Sequence, residues 1–289
     1  MHLCLITGVY ANAEIRDWKL KDGTELRGEI DDVDETAETV TLKGDQGKVV
    51  VVPLDSLSAL DRAWVLQWIE FAEELGDAAE KFGGRIEHYE GKGETTTTPF
   101  HVYHPSGDIP VGTARPMMIL FSANGKGIRF LLRHIKAAEE VKMTLVACDV
   151  FRNHMEERDS IRRFRELLPI IRATVPHDPE RDFMGGSSGG AWRSFNLSSD
   201  LPDETWTGVY SNGGWLGGEK NWNRDYPAMR VAMVNGDEDK AANAWLDRDI
   251  EILQEHDCTV AVVAFEGGHQ VPPPSVQVKA FKWLLGEIE

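Results

Sequence analysis

Two rhythms of apolar residues divide the chain. Between Glu14 and about Phe71 the apolar positions fall on even steps. Trp18, Leu20, Leu26 and Ile30 predict two strands joined at Asp22-Gly23, a hairpin-type turn. Thr39 to Leu42 and Val49 to Val52 predict two more, with Asp45-Gln46-Gly47 as the turn between them and Pro53 as the stop. Ser58 then caps a helix running to Ile69, with Asp61 at its third position and Trp64, Trp68 and Phe71 at helical spacing. From Pro116 onward, strands alternate with amphipathic helices instead. Met117–Phe121 and Lys142–Cys148 read as buried strands, as do Asp182–Met184, Trp206–Tyr210, Met229–Val234 and Thr259–Phe265. Helices are predicted over Phe130–Glu140, Asp159–Thr174, Ala191–Leu197, Ala241–His256 and Val276–Leu285. Strand-helix alternation implies a parallel sheet with crossover helices, an α/β class of fold.

The two rhythms set the domain organisation. A small β domain occupies residues 14–71, a charged, Gly-bearing connector residues 72–96, and an α/β domain residues 97–289, with the second folding unit beginning near Phe82. Arg85 to Tyr89 is a candidate strand within the connector. Pro99 to Pro105 reads as an antiparallel edge strand, which would leave His101 and His104 at the surface. Residues 1–13 end in Ala11-Asn12-Ala13, a cleavage-type pattern behind a short apolar run, and predict the tail of a signal peptide and hence a secreted or periplasmic protein. A first β-strand is the alternative reading of that segment.

Composition narrows the function. The formal net charge is −17, which argues against nucleic acid and anionic membrane surfaces as partners. No apolar run approaches the roughly 20 residues of a membrane span. The three cysteines form no disulfide framework, and Cys148 and Cys258 are expected to be free. No cluster of Cys and His has zinc spacing, so neither metal nor other cofactor is expected.

The chemistry concentrates at Arg181–Arg193, where Gly-x-Ser-x-Gly occurs in two overlapping registers, Gly185/Ser187/Gly189 and Gly186/Ser188/Gly190. Apolar Phe183 and Met184 lead in and a helical run leads out, the order of a nucleophile elbow. The first register is preferred, because Ser187 has glycine two before, two after and three after it, followed by Ala191. A glycine-rich turn with two solvated serines is the bland alternative. Downstream, Asp239 and His269 each follow the end of a predicted strand, 52 and 30 residues further on. A serine nucleophile needs a base, and the base an anion, and loops at the C-terminal ends of parallel strands converge. Asp239 also suits a helix N-cap, which is compatible with that role, and Asp237 is the rival acid.

With Gly185 to Gly190, Gly236-x-x-Asp239, Gly268-His269, Pro272-Pro273 and Trp283-Leu284 in place, residues 99–287 resemble the α/β-hydrolase superfamily, near the exported esterases of the polyhydroxybutyrate-depolymerase and feruloyl-esterase type. The resemblance implies Ser187 as nucleophile, Asp239 as acid and His269 as base. Such esterases usually carry His-Gly after the strand ending here at Phe121, whereas this chain has Ser122-Ala123-Asn124-Gly125. An oxyanion hole would then use the backbone N–H of Ser188 and that of Ala123 or Asn124. Asp149, Arg152, Trp192, Asn212 and Trp215 are expected at the same mouth, Arg152 to anchor a carboxylate or sugar hydroxyl and Trp215 to stack on a sugar or acyl group. The run Arg16-x-Trp18, Gly23, Val40-x-Leu42, Gly47, Val52-Pro53-Leu54, Leu57-Ser58 and Asp61 resembles the Sla-homology type of SH3-like β-barrel, which implies a protein- or peptide-contact module. The function expected is hydrolysis of carboxylic esters, on carbohydrate or polymer among other substrates. An inactive hydrolase-fold scaffold recruited by the barrel, and a peptidase of the same fold, are the alternatives.

Overall fold

The computed structural model describes residues 16–34, 37–44, 48–59, 61, 62, 65, 66, 82–107 and 114–288. The expected leader, the turn at residues 45–47 and the aromatic residues Trp64, Trp68 and Phe71 lie outside them. The chain divides into two units, Met1–Lys81 and Phe82–Glu289.

In the first unit β1 (Arg16–Lys19), β2 (Glu25–Asp34), β3 (Thr39–Lys43) and β4 (Val49–Pro53) form an antiparallel sheet in that order. The first turn is tight because Gly23 takes a φ of 87° and Asp22 Oδ1 accepts the Thr24 N–H at 2.8 Å. The even-step residues Trp18, Ile30, Val40, Leu42 and Val52 enclose a small core with Leu54, Leu57 and Val65. The indole N–H of Trp18 donates to Gly28 O at 2.8 Å, so this fully buried ring keeps no unpaired donor. Ser58 and Asp61 cap each other reciprocally: Ser58 Oγ accepts the Asp61 N–H at 3.2 Å and its hydroxyl donates to Asp61 Oδ2 at 2.8 Å.

The second unit is an eight-stranded sheet in the order β12-β11-β10-β9-β7-β8-β6-β5. Its strands are β5 (Arg85–Tyr89), β6 (Phe100–His104), β7 (Met117–Phe121), β8 (Thr144–Cys148), β9 (Asp182–Ser187), β10 (Gly208–Asn212), β11 (Arg230–Gly236) and β12 (Thr259–Phe265). Pairing from β8 through β7, β9, β10 and β11 to β12 is parallel, and β6 runs antiparallel to both its neighbours. Among the described residues seven helices connect them: α1 (Gly127–Leu132), α2 (Ile135–Val141), α3 (Glu157–Thr174), α4 (Gly189–Asp200), α5 (Lys240–Asn243), α6 (Leu246–Glu255) and α7 (Pro274–Leu284). One face of the sheet, with Ile119, Phe121, Val146 and Met184, packs against Phe164, Leu168 and Ile171 of α3 and Phe195 of α4. On the other, Tyr210 meets His134 and Phe281 at ring separations of 5.5 and 5.2 Å. Helices on both faces bury the central strands completely, which is why they read as unbroken apolar runs.

Four sequence expectations change. The strand Phe100–His104 is not an edge, because β5 lies outside it; residues assigned to the connector therefore belong to the sheet. His101 and His104 are accordingly buried, at 6% and 7% exposure, with Nε2 of His101 2.9 Å from Asp149 Oδ2 and Nε2 of His104 3.0 Å from Glu87 Oε2. The helix expected over Phe130–Glu140 breaks into α1 and α2 at Arg133–His134, where the His134 ring turns its Nδ1–H back on Phe130 O at 2.8 Å. And β12 forms the other edge, leaving Val262 47% exposed. Cys148 and Cys258 are free and buried, with β7, β9, β10 and β11 standing between their strands.

Candidate active site

Strand β9 passes into α4 through a single residue, Ser188, whose φ of 55° and ψ of −120° are foreign to both elements. A serine in such a conformation is strained and persists only where its surroundings enforce it. The enforcement comes from Gly186 and Gly190, two residues to either side. A Cβ on Gly186 would run into the backbone of Gly190 and Ala191, and one on Gly190 into Phe121 O at the end of β7. Ser187 keeps strand geometry and pairs with Asn212. The centre of the elbow is therefore Ser188, in the second register, and not Ser187. Counting small residues points to Ser187, whereas the backbone and the two glycines that touch point to Ser188.

The loop after β11 supplies Asp239, 2% exposed, and the loop after β12 supplies His269. His269 Nδ1 lies 2.7 Å from Asp239 Oδ2. Since the carboxylate can only accept, Nδ1 carries a proton, and in the neutral ring Nε2 is then the lone-pair acceptor. The other carboxylate oxygen, Oδ1, caps α5 by accepting the Ala242 N–H at 3.1 Å, so one side chain performs both tasks. Asp237 instead accepts the Gly267 N–H at 2.9 Å and organises the neighbouring turn. The pair sits over Gly213, where an added Cβ would stand 3.1 Å from both Asp239 Oδ2 and His269 Nδ1. The residue before it, Asn212, accepts the Ser188 N–H at 2.9 Å and donates its Nδ2–H to Gln270 O at 3.0 Å. Backbone and side chain of Asn212 thus tie the elbow to the segment bearing His269. Among the described residues no hydrogen bond joins Ser188 Oγ to His269.

That bond to Asn212 consumes the Ser188 N–H, so Ser188 does not serve as the expected oxyanion donor. The residue after the elbow centre is Gly189, the first of α4; its N–H and that of Ala123 make no hydrogen bond among the described residues. The first intrahelical bond begins only at Trp192 N–H, to Ser188 O at 3.1 Å. Asn124 is less suited, its N–H being turned toward Ser122 Oγ at 3.4 Å.

The five residues expected at the mouth fare differently. Asp149 is not free for a substrate: Oδ1 accepts the Gly127 N–H at 2.7 Å and Oδ2 is bonded to His101. It fastens the start of α1, just beyond the Ser122–Lys126 loop. Asn212 is fully buried and is a clamp, as described. Trp192 lies against Gly217 and under the Lys220 ammonium, 5.5 Å from its ring centre. Arg152 is exposed, its backbone bridged to Asn124, and Trp215 is half-buried two residues past Gly213. Two residues that sequence reasoning did not single out enter the site. Gly213, with φ 53°, makes room for the acid-base pair; Asn153 lies against Gly189. A Gly-Gly pair after a strand was a visible signal for the first, and no local signal marks the second.

A groove opens along Gln270 to Pro274, the segment that follows His269, with Arg133 and Gln277 on its walls. Burial holds the His134 imidazole at about 4 and lowers Arg193 to about 10, so both are structural charges or neutral fillers at neutral pH rather than proton carriers.

No protein-family model matches the chain, and no curated protein matches its sequence. Solved structures do. An esterase from Pyrobaculum calidifontis is similar with a TM-score of 0.59 at 10% identity, over 70% of this chain and 84% of that one. A fluorophosphonate-binding serine hydrolase from Staphylococcus aureus is similar with a TM-score of 0.51 at 14% identity, over 70% and 98%. An acylaminoacyl peptidase from Pyrococcus horikoshii follows at 0.50 and 14%, over 70% of this chain but only 41% of that one. Together with the sheet order, these likenesses show the α/β-hydrolase fold.

Proposed function

We propose that this chain is a serine hydrolase of carboxylic esters in which Ser188 is the nucleophile, His269 the general base and Asp239 its orienting anion. The observation that carries the reading is the Asp239–His269 hydrogen bond at 2.7 Å, beside an elbow whose one strained residue is a serine. The fold by itself hosts many chemistries and carries less weight. In the reaction, Ser188 Oγ attacks the ester carbonyl carbon and its proton passes to His269 Nε2. The carbonyl π pair moves onto oxygen, where the N–H groups of Gly189 and Ala123 receive it. Collapse of the tetrahedral adduct expels the alcohol oxygen, which takes the proton back from His269. Water then repeats the sequence on the acyl-enzyme and releases the acid.

The same steps on an amide would make a peptidase, and one of the similar structures is an acylaminoacyl peptidase, so the substrate arms of the test include both. The N-terminal sheet enters this reading as a peptide-contact attachment and export as its setting. The deciding experiment is labelling of the purified chain by a fluorophosphonate, followed by intact mass, with turnover of an activated ester and a peptide anilide. Labelling is expected to vanish in Ser188→Ala and to persist in Ser187→Ala. Loss in Ser187→Ala alone would move the nucleophile by one residue, and an unlabelled wild-type chain would favour the scaffold reading.

A further inference from the structure

The loop after β8 sets Phe151 into the core, 5.1 Å from the ring of Phe121, and is unusual in its backbone. It spans Asp149 to His154 and contains two non-glycine residues with left-handed backbone, Val150 at φ 74° and His154 at φ 65°. For a β-branched residue such as Val150 that conformation is a rare outlier, and strain of this kind gathers at working sites. The loop is fastened from several sides. Val150 N–H donates to Gly125 O at 3.1 Å, and Asn153 N–H to Ala123 O at 2.8 Å. From α4, the buried Arg193 donates to Arg152 O at 2.7 Å and stacks 5.6 Å above the ring of Phe151, itself fully buried. Everything in this arrangement delivers one side chain, Asn153, onto the first residue of α4. Its carboxamide lies so close to Gly189 that an added Cβ there would collide with Asn153 Oδ1, and would stand 3.3 Å from Nδ2. The exposed amide makes no hydrogen bond among the described residues; neither does the N–H of Gly189, against which it lies, nor that of Ala123, whose carbonyl holds the Asn153 N–H.

Taking Ser188 as the nucleophile, we infer that Asn153 is a further catalytic residue, whose Nδ2–H donates a third hydrogen bond to the oxygen that becomes negative during acyl transfer. The terminal torsion of an asparagine is broad and roughly two-fold, so a half-turn exchanges Oδ1 and Nδ2 over the same point. A side-chain donor at Asn153 also adds to a Ser122-Ala123-Asn124 loop that has no histidine and whose Asn124 Oδ1 is held by the Ser122 hydroxyl and the Lys126 N–H. It explains the glycine at 189 as well: a larger residue there would displace the amide.

The inference depends on the serine-hydrolase reading, and its test separates the two. Steady-state kinetics on an activated ester and fluorophosphonate labelling rates are measured for wild type, Asn153→Ala and Asn153→Asp, with circular dichroism on each. Asn153→Ala is expected to lower kcat by about 10²-fold or more with KM changed by less than a few-fold, the pattern of an interaction made in the transition state. The isosteric Asn153→Asp keeps the loop's size, loses the donor and adds an anion, and is expected to be slower still. A kcat within a few-fold of wild type in either folded variant overturns the inference and leaves the reading intact. If Asn153→Ala does not fold, the aspartate variant decides alone. A wild-type chain that neither labels nor turns over ester overturns both.

Discussion

At the scale of single residues, the site turns on which of two near-identical side chains occupies a special position, and this happens twice. Asp237 and Asp239 are both acids in the turn after β11, yet only Asp239 reaches His269, while Asp237 binds the Gly267 N–H. Replacing Asp239 by asparagine removes the anion and presents His269 with an amide that no longer favours one tautomer. The ester-hydrolysis rate constant kcat is expected to fall on the order of 10⁴-fold, the scale of the same change in serine proteases. Asp237→Asn should lose less than tenfold, since Oδ1 of asparagine can still accept the Gly267 N–H. Should Asp237→Asn prove the crippled variant, the anion has been misplaced by two residues; if both keep full rate, the acid-base pair does no catalysis. The pair Ser187/Ser188 teaches the complementary lesson. That one serine sits at a tight turn was legible from Gly185 to Gly190, but the register was not, because composition is nearly symmetric about the two serines. The left-handed backbone of Ser188, with Gly186 and Gly190 in contact across it, breaks the tie. Asn153 was invisible for a further reason: its partner Gly189 is 36 positions away, and nothing in either segment names the other.

At the scale of elements, the alternation of buried strands and helices was readable because a sheet covered on both faces shows continuous apolar runs, and this located β7 through β11. What the pattern could not show was lateral neighbourhood. That β5 covers β6 follows from pairing, and so the burial of His101 and His104 did not follow from their alternating, polar-looking sequence. Helix continuity failed similarly at His134, a residue that periodicity treats as helical. Its fully buried ring packs among Phe130, Tyr210 and Phe281, bonds Phe130 O through Nδ1, and has a buried Nε2 without a partner among the described residues. Burial lowers its pKa from about 6.5 to about 4. The unfolded chain therefore binds a proton here between those values and the folded chain does not, so stability is present above about pH 6.5 and is lost as pH falls toward 4. Between pH 7.5 and pH 5 this one ring is expected to remove about 2 kcal/mol of unfolding free energy. Urea titrations of wild type and His134→Leu at both pH values test the point. The variant starts less stable but should lose about 2 kcal/mol less on acidification; equal losses in the two proteins would mean that the ring becomes charged while still folded.

At the scale of the whole molecule, the question is what the chemistry requires of each unit. The two have separate apolar cores: Trp18, Ile30, Val40 and Leu57 belong to one, and Phe121, Phe164, Met184 and Phe195 to the other. Every group given a part in catalysis lies after Phe82, where the second unit begins: Ala123, Asn153, Ser188, Gly189, Asp239 and His269. So does every strand whose C-terminal end carries one of them, and so does β5, whose pairing with β6 buries His101 against the carboxylate that fastens α1. The boundary falls at Phe82 and not at the Thr95–Thr98 run for this reason: a chain starting at residue 97 would lack β5, expose one side of β6 and strand a buried histidine beside water. Residues 82–289 alone are therefore expected to fold and to react with a fluorophosphonate at the rate of the full chain. Residues 97–289 should be insoluble or label far more slowly. The measurement is the labelling rate of the two truncated chains against the full one, with circular dichroism spectra of each. If the longer piece is folded but unreactive, the N-terminal unit contributes to the site itself and the division of labour argued here is wrong. If the shorter piece matches the full chain, β5 is dispensable, and the link from His101 through Asp149 to α1 does not support the catalytic loop.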